Sequence, residues 1–565
     1  MQEVEAAPVT DLRAKRCVLN AKAVAGFFAV SAFIPRMLTA GHHLTYDELV
    51  WMRRTVRYSD ALSTANLAGM TAATGDQVAT LPGVPTMIVG SIARVFYGAG
   101  QKIGVVSDEP FAQAWTGLQS AQIALAIATS LLIGLLVWLN WQWLGAIPSM
   151  TVGFFMATEP LLVGHGAVLH TDELLGLLAA CTVVLLARLL GRGGPPLERP
   201  VATAVVAGIL AALTALTKLS AVAFIPGAVL LICWVAWRRV VSSRRAGGRW
   251  QDGLGSVLEP LAIIILAGAA TVAILWPAIV VAPGDQLGVL RKSASLADAG
   301  QFSVFQGEIT FAPPGLFYFV TTPFRMTPWF MLAAVILVPI GLTDRHRRRQ
   351  FLTIVVFIVT TVTVLTLTPK KIDRYIIEVL PLLAVATGIG AARLVEHLRS
   401  GRFGPLVAGF VDRYPRTLPI AAAAALVAAT GYAVHVSPWG GIYFNPLLGG
   451  SDRAESLLVV GWGEGIRDAD DIIARREAGN CDNIRVAMAF PYFDQAITCG
   501  LATKVGNAAD YRIIYINDRQ LDLSGEVAEF RVGNTPVGVV EERGIVLAEV
   551  YDLSLIHISE PTRPY

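Results

Sequence analysis

The chain has 565 residues, of which 54% are hydrophobic and 15% are charged, and its mean hydropathy is +0.57. Such a composition is too apolar for a soluble globular protein and predicts an α-helical polytopic membrane protein. The formal net charge of +3 is too small to indicate a nucleic-acid partner.

Hydrophobic segments predict about 11 transmembrane helices. The first runs from about Cys17 to Ala40 and follows Arg13, Lys15 and Arg16, which predicts a cytoplasmic N-terminus. Its apolar run is long and many spans follow, so we interpret it as a retained anchor and not as a cleaved signal peptide. The remaining spans are predicted at about 113–138, 145–163, 173–190, 201–217, 220–236, 257–281, 327–343, 351–368, 374–392 and 418–435. This order puts the arginine-rich loops on the inner side, and the odd number of spans places the C-terminal part outside.

Two of the predicted outer loops are long, at about 41–112 and 282–326. The predicted transmembrane domain covers residues 1–436, and beyond it the composition changes sharply. Residues 437–552 alternate short apolar segments with helix-like segments, which predicts a small mixed α/β domain on the extracytoplasmic side.

Cys481 and Cys499 lie in this predicted outer domain, where thiols can oxidise. Their number and place leave both a disulfide and two free thiols open. Residues 553–565 look like the translation of a sequencing adapter and are predicted not to belong to the natural protein.

Two acidic pairs lie at predicted membrane boundaries on the outer side. Asp47 and Glu48 follow the first span, and Asp172 and Glu173 stand between the third and fourth spans, next to His170. Each pair alone is also typical of a solvated helix cap. Because carboxylates at such positions are costly, two pairs on one face more strongly indicate a polar cavity with a function.

Four cations stand on the same predicted face, although the positive-inside bias does not require them there: Lys218, Lys370, Lys371 and Arg374. Any single one could instead extend towards the lipid headgroups. Together they could bind a phosphate through charge-assisted hydrogen bonds. Carboxylates facing cations suit a reaction in which one carboxylate deprotonates a hydroxyl while the cations stabilise a leaving phosphate.

Several short motifs follow one another along the chain in a recognisable order. They are Tyr46-Asp47-Glu48, Leu81-Pro82-Gly83, Glu159-Pro160, His170-Thr171-Asp172, Leu216-Thr217-Lys218, Gly307-Glu308-Ile309-Thr310, Lys370-Lys371-Ile372-Asp373-Arg374-Tyr375 and Gly461-Trp462-Gly463-Glu464-Gly465. In this order they resemble family thirty-nine of the GT-C membrane glycosyltransferases, which includes protein O-mannosyltransferases and lipid A aminoarabinose transferases. The resemblance covers nearly the whole chain, and the tail looks like a bacterial branch of the family.

The resemblance implies a GT-C-like fold and an inverting glycosyltransferase that uses a polyprenyl-phosphate-linked sugar. Its acceptor would be a hydroxyl of a protein, lipid or glycan at the outer face of the bacterial inner membrane. Asp47 would act as the base with Glu48 beside it, and Asp172 would be a second carboxylate. Substrate contacts would come from the neighbouring polar residues: His170, Glu173, Lys218, Lys370, Lys371, Arg374 and Tyr375. The chain departs from the family pattern at Leu81, where histidine is common, and at Thr171, where a hydrophobic residue often stands.

Two further points stay open in the sequence. Asp47 and Asp172, with nearby histidines, could hold a divalent metal ion, although a lipid monophosphate donor does not require one. The alternative function is a secondary transporter with a carboxylate proton relay. Against it, the acidic residues lie at span ends and the sequence has no evident internal repeat.

Overall fold

A computed structural model describes residues 11–71, 82–400, 417–489, 496–506 and 508–556, together with positions 402, 404, 405, 409, 413 and 414. For residues 11–20, 418, 419, 555 and 556 the backbone alone is described. Leu81 of the motif Leu81-Pro82-Gly83 and the predicted adapter sequence from residue 557 onward lie outside the described residues.

The first two thirds of the chain are mainly helical. The helices are α1 (Asp11–Thr39), α2 (Tyr46–Ser63), α3 (Val84–Lys102), α4 (Trp115–Leu144), α5 (Ala146–Thr158), α6 (Pro160–His165), α7 (Asp172–Leu189), α8 (Pro200–Thr217), α9 (Ile225–Arg245), α10 (Trp250–Leu275), α11 (Ala278–Val281), α12 (Pro283–Asp298), α13 (Phe317–Arg325), α14 (Pro328–Leu342), α15 (Arg348–Leu367), α16 (Leu380–Arg399) and α17 (Thr417–Val436). A two-stranded hairpin, β1 (Ser303–Phe305) and β2 (Glu308–Thr310), interrupts them. Short 3₁₀ helices include Leu219–Phe224 and Asp373–Glu378.

Each predicted span overlaps one or more of these helices. Among the described residues, six helices are long and apolar enough to cross a membrane, or seven if the bent pair around Pro438 counts as one span. The predicted span at 145–163 is divided into α5 and α6 because Pro160 follows the non-helical Glu159. The chain is therefore a multi-pass membrane protein, while the number of 11 spans stays a prediction.

Helix burial distinguishes the centre of the bundle from its periphery. Nearly every residue of α7 is buried, and the helix packs against α4 and α8. In α10, by contrast, Ile265, Leu266 and Ile274 are each about two-thirds or more exposed (67%, 71% and 70%). Large apolar side chains on the outside of a bundle are typical of a lipid-facing surface.

The C-terminal region, residues 437–556, contains a five-stranded sheet with the order β4-β3-β5-β7-β6. Its elements are α18 (Gly450–Leu457), α19 (Ile466–Arg476), β3 (Arg485–Met488), β4 (Leu501–Lys504), β5 (Tyr511–Tyr515), α20 (Ile516–Gln520), α21 (Glu526–Gly533), β6 (Gly538–Glu542), β7 (Ile545–Asp552) and α22 (Leu553–Ile556). Strands β3, β4 and β5 are parallel, and β7 pairs antiparallel with β5 and β6. This mixed α/β architecture matches the prediction, and Cys481 and Cys499 form a disulfide.

Candidate active site

Asp47 lies in the first turn of α2, which begins directly after the first long helix and its connecting loop. Thr45 caps this helix, and its backbone amide donates a hydrogen bond to Oε2 of Glu48 (2.8 Å). The cap fixes where the helix begins and so fixes the direction of the Asp47 side chain. Asp47 is partly accessible, with 17% of its side chain exposed.

Glu48 faces the opposite way, into the protein, and its side chain accepts four hydrogen bonds. Besides the two from Thr45 (2.8 and 3.1 Å), Oε1 accepts one from the Gln122 amide and one from the Leu169 backbone, both at 2.8 Å. Burial raises the pKa of Glu48 to about 6, although these hydrogen bonds oppose the shift. Glu48 therefore joins α2, α4 and the segment before α7.

His170 and Asp172 bring a second carboxylate to Asp47. The two imidazole nitrogens of His170 lie 3.4 Å from carboxylate oxygens, Nε2 from Asp47 and Nδ1 from Asp172. Asp172 is the first residue of α7, and both it and His170 are almost fully buried. His170 thus stands between the two predicted catalytic carboxylates.

Two long, positively charged side chains, Arg374 and Lys218, complete the arrangement. Nη2 of Arg374 lies 2.9 Å from Asp47, and its Nε lies 3.3 Å from Asp172. The Lys218 ammonium lies 2.6 Å from Asp172 and 3.2 Å from Glu378. We call these six side chains the ion cluster: Asp47, His170, Asp172, Lys218, Arg374 and Glu378.

A close backbone approach places Arg374 and Glu378 beside α7. Both belong to the 3₁₀ helix Asp373–Glu378, which packs against α7. At the contact stands Gly176, where an added Cβ would lie 2.7 Å from the Ile377 carbonyl oxygen. A larger residue at position 176 would push this segment, and with it Arg374, away from Asp172.

The side chains of the ion cluster differ in solvent exposure, so the cluster has a buried inner end and a more exposed outer end. Asp47 and Arg374 keep 17% and 16% of their side chains exposed, whereas Asp172, Glu378 and Lys218 keep 5% or less. With His170 protonated, three carboxylates meet three cations. A substrate would therefore reach Asp47 and Arg374 first, while the inner end supports them from behind.

The pKa shifts of Asp47 and His170 agree with this pairing. Burial would raise the pKa of Asp47, but His170 and Arg374 outweigh burial and lower it to about 2. For His170, burial favours the neutral ring, yet Asp172 and Asp47 raise its pKa above the ordinary value. Asp47 is thus ionised, and the protonated form of His170 is favoured.

The other predicted substrate contacts lie around the ion cluster in different ways. Tyr375 lies beneath Lys218, whose ammonium is 3.8 Å from the ring centroid. Lys371 donates to the Thr368 carbonyl (2.9 Å). Glu173 forms a buried ion pair with Arg36 of α1 (2.5 Å), within the helical bundle.

Lys370 differs from its neighbour. Its pKa is lowered first by burial and then by the charges of Arg374 and Lys218. Its electrostatic partners thus include both long cations of the ion cluster, together with Asp47, whose charge opposes the lowering of the pKa. Within the part of the chain that the structure describes, its ammonium has no carboxylate partner within 4 Å. An added anion would therefore be favourable beside Lys370.

A metal ion does not fit the carboxylates that the sequence proposed for it. Asp47 and Asp172 share Arg374 and His170, so their oxygens already face cations. Across the described ranges, no group of three or more His, Cys, Asp or Glu side chains is arranged to hold a metal ion. We therefore assign no step to a metal.

The sequence did not single out two residues of the site, Glu378 and Trp462. Glu378 lies within a predicted apolar span, and an acid at such a depth is itself a signal of function. Trp462 belongs to a quoted motif in the C-terminal region, but no local signal connects it with Arg374. Its ring centroid lies 3.9 Å from the Arg374 guanidinium carbon.

An apolar cavity of about 320 Å³ lies next to the segment that carries Arg374. Helices α13 to α16 form its walls, and its lining includes Tyr318, Met326, Val335, Ile358, Ile376 and Leu380. Ile376 belongs to the same 3₁₀ helix as Arg374. A charged site and an apolar cavity thus share one structural element.

No family model and no curated protein matches the chain. Similar solved structures include ArnT from Cupriavidus metallidurans bound to undecaprenyl phosphate, with 13% identity, a TM-score of 0.49 and coverage of 93% of this chain and 97% of that one. Another is the archaeal oligosaccharyltransferase AglB from Archaeoglobus fulgidus with an inhibitory peptide and a dolichol-phosphate (11% identity, TM-score 0.47, 90% of this chain and 70% of that one). The arabinosyltransferase EmbB from Mycobacterium smegmatis gives 16% identity, a TM-score of 0.39 and coverage of 74% and 41%. At such scores these likenesses decide neither family nor function.

Proposed function

We propose that the protein is an inverting GT-C glycosyltransferase that moves a sugar from a polyprenyl-phosphate donor to an acceptor hydroxyl on the outer face of the bacterial cell membrane. The observation that carries this proposal is the ion cluster beside an apolar cavity of about 320 Å³. A polyprenyl phosphate has the same two parts, an anionic head and an apolar chain. The segment from Asp373 to Leu380 contributes to both sites.

Arg374 and Lys370 are the proposed ligands of the donor phosphate. Arg374 lies at the more exposed end of the ion cluster, and Lys370 has a lowered pKa beside other cations. Lys218 is held between Asp172 and Glu378, so its role is to neutralise them. Lys371 already donates to a backbone carbonyl and is left out of the phosphate site.

Asp47 is the proposed general base. The acceptor oxygen attacks the anomeric carbon, the bond from that carbon to the phosphate oxygen breaks, and its electron pair leaves with the polyprenyl phosphate. The acceptor proton passes to Asp47. A single displacement of this kind inverts the anomeric configuration, and Arg374 stabilises the departing anion.

The low pKa of Asp47 gives donor binding a second effect. The carboxylate of an acid with a pKa of about 2 is a weak base, and Arg374 helps to keep the pKa of Asp47 that low. A bound phosphate competes with Asp47 for the Arg374 guanidinium. Loss of that contact raises the pKa of Asp47, so the base becomes stronger when the donor is in place.

The experiment is a transfer assay with the purified full chain in lipid nanodiscs. Labelled undecaprenyl-phosphate sugars are offered with a protein, a lipid and a glycan acceptor in parallel reactions. We expect labelled acceptor and free undecaprenyl phosphate from the wild type, and neither from Asp47→Asn. No transfer with any donor, together with proton-driven solute uptake into proteoliposomes, would contradict the proposal and favour the transporter.

A further inference from the structure

A glycine-rich turn in the C-terminal region reaches the ion cluster. The turn has the sequence Gly461-Trp462-Gly463-Glu464-Gly465 and precedes α19. Trp462 stacks on the Arg374 guanidinium at 3.9 Å, and its ring meets the His170 ring edge-on with centroids 4.8 Å apart. Its carbonyl also accepts a hydrogen bond from the Tyr46 backbone amide (3.2 Å). Trp462 therefore contacts both cations that flank Asp47 and the residue before Asp47.

The sheet of the C-terminal region holds this turn in place. Tyr515, the last residue of β5, accepts a hydrogen bond from the Gly463 amide (2.9 Å) and donates one to Glu464 (3.4 Å). Glu464 in turn accepts one from the Trp462 amide (2.5 Å). Gly461 and Gly463 have φ angles of 87° and 123°, a backbone conformation that other residues rarely adopt. The turn that carries Trp462 is thus held by β5, while the carbonyl and ring of Trp462 contact the helical part of the chain.

We propose that Trp462 is a positioning residue through which the C-terminal region fixes Arg374 for the donor phosphate; this inference rests on the proposed function. An arginine side chain has many rotamers, and immobilising it on binding costs free energy. Stacking on an aromatic face holds the guanidinium plane before the donor arrives. The stacking orders Arg374 before the donor binds, so its loss adds a cost to donor binding but leaves bound Arg374 in place to stabilise the departing anion. Loss of the stacking should therefore raise the donor KM and leave kcat nearly unchanged.

The test compares two apolar replacements of Trp462 that differ in one property. Trp462→Phe keeps an aromatic face for Arg374, whereas Trp462→Leu does not. We expect Trp462→Leu to raise the KM for an undecaprenyl-phosphate sugar about tenfold with kcat within about twofold, as loss of a desolvated cation–π contact would. Trp462→Phe should restore most of the wild-type KM. A lower kcat with an unchanged KM, or equal values for the two variants, would overturn the inference.

A remote variant keeps the test valid if changes at Trp462 disturb folding. Tyr515→Phe removes the hydroxyl that holds the turn, and Tyr515 lies outside the ion cluster. We expect a rise of about threefold in the same KM, the scale of one lost hydrogen bond. The control is Trp439→Leu. Trp439 lies in the same region and packs at a tilted angle against His43, with ring centroids 4.3 Å apart, so this change should leave the donor KM unchanged.

The two proposals fail in different ways. If the wild type transfers no sugar, the proposed function fails and this inference falls with it. If the wild type transfers sugar and Asp47→Asn does not, but Trp462→Leu and Tyr515→Phe keep the wild-type donor KM, the inference alone is wrong.

Discussion

The chain has two acidic pairs, Asp47-Glu48 and Asp172-Glu173, that look alike in the sequence. In both pairs the aspartate and the glutamate have different surroundings, and the difference is the same in each. In each pair the aspartate belongs to the ion cluster and contacts His170 and Arg374. In each pair the glutamate turns away and is held by partners in the bundle. Neighbouring residues on a helix do not face the same side, so one carboxylate can serve the site while the next supports the fold. The comparison predicts that aspartate changes affect catalysis and glutamate changes affect stability.

The largest expected effect comes from breaking the ion pair of the second glutamate. Arg36→Met removes the partner of Glu173 in a site where both side chains are 2% exposed or less. We expect the free energy of unfolding to fall by about 3–5 kcal/mol, measured by chemical denaturation in detergent micelles. Arg94→Ala is the control, because its pair with Asp60 is exposed and should contribute less than about 1 kcal/mol. Equal losses for both variants would contradict the structural role of Glu173.

The second prediction concerns the first aspartate. Asp47→Asn keeps the size of the side chain and removes its basicity, so sugar transfer should fall at least about 100-fold. The variant also loses the pairing of Asp47 with His170 and Arg374, so transfer is measured well below its own melting temperature, where circular dichroism shows it folded. Asp60→Asn makes the same substitution on the exposed face of α2 and should keep normal transfer. Near-normal transfer by Asp47→Asn would remove its role as base.

The third prediction uses pH to distinguish the stability contributions of Asp47 and Glu48. Glu48 has a pKa raised from 4.5 to about 6, so its contribution to stability is fully present below pH 4.5 and is lost as the pH rises through 6. Asp47 has a pKa lowered from 3.8 to about 2, so its contribution is present above pH 3.8 and is lost as the pH falls through 2. The wild type should therefore lose about 2 kcal/mol of its free energy of unfolding between pH 4.5 and 6, and Glu48→Gln should not show this loss.

Unfolding free energies of the wild type and Glu48→Gln, measured across that pH range, check this prediction. The variant should be less stable at every pH, because a glutamine amide cannot accept all four hydrogen bonds, but its curve should be flatter. Asp47→Asn should keep the wild-type slope above pH 4.5. An unchanged slope in Glu48→Gln would mean that another group titrates there.

The sequence predicts the helical bundle and the mixed C-terminal sheet well, because apolar length and strand alternation are local signals. It also indicates Asp47 and Asp172, since charges at span ends are costly. It could not separate them from Glu48 and Glu173, because the deciding partners are distant: Arg36 is 137 residues from Glu173. The contact between Trp462 and Arg374 likewise depends on how the C-terminal region packs, which no local pattern encodes.

The prediction with the smallest expected effect concerns Arg374, the cation that both aspartates contact. Arg374 contacts Asp47 and Asp172 but neither glutamate, so it should matter for substrate and not for the bundle. Arg374→Ala should weaken the binding of undecaprenyl phosphate about tenfold, the scale of one charge-assisted contact to a phosphate. Lys371→Ala is the matched comparison from the same segment, and its Kd should change by less than about twofold because Lys371 donates to the Thr368 carbonyl. If both variants bind like the wild type, Arg374 only balances the two carboxylates, and the phosphate site must lie elsewhere.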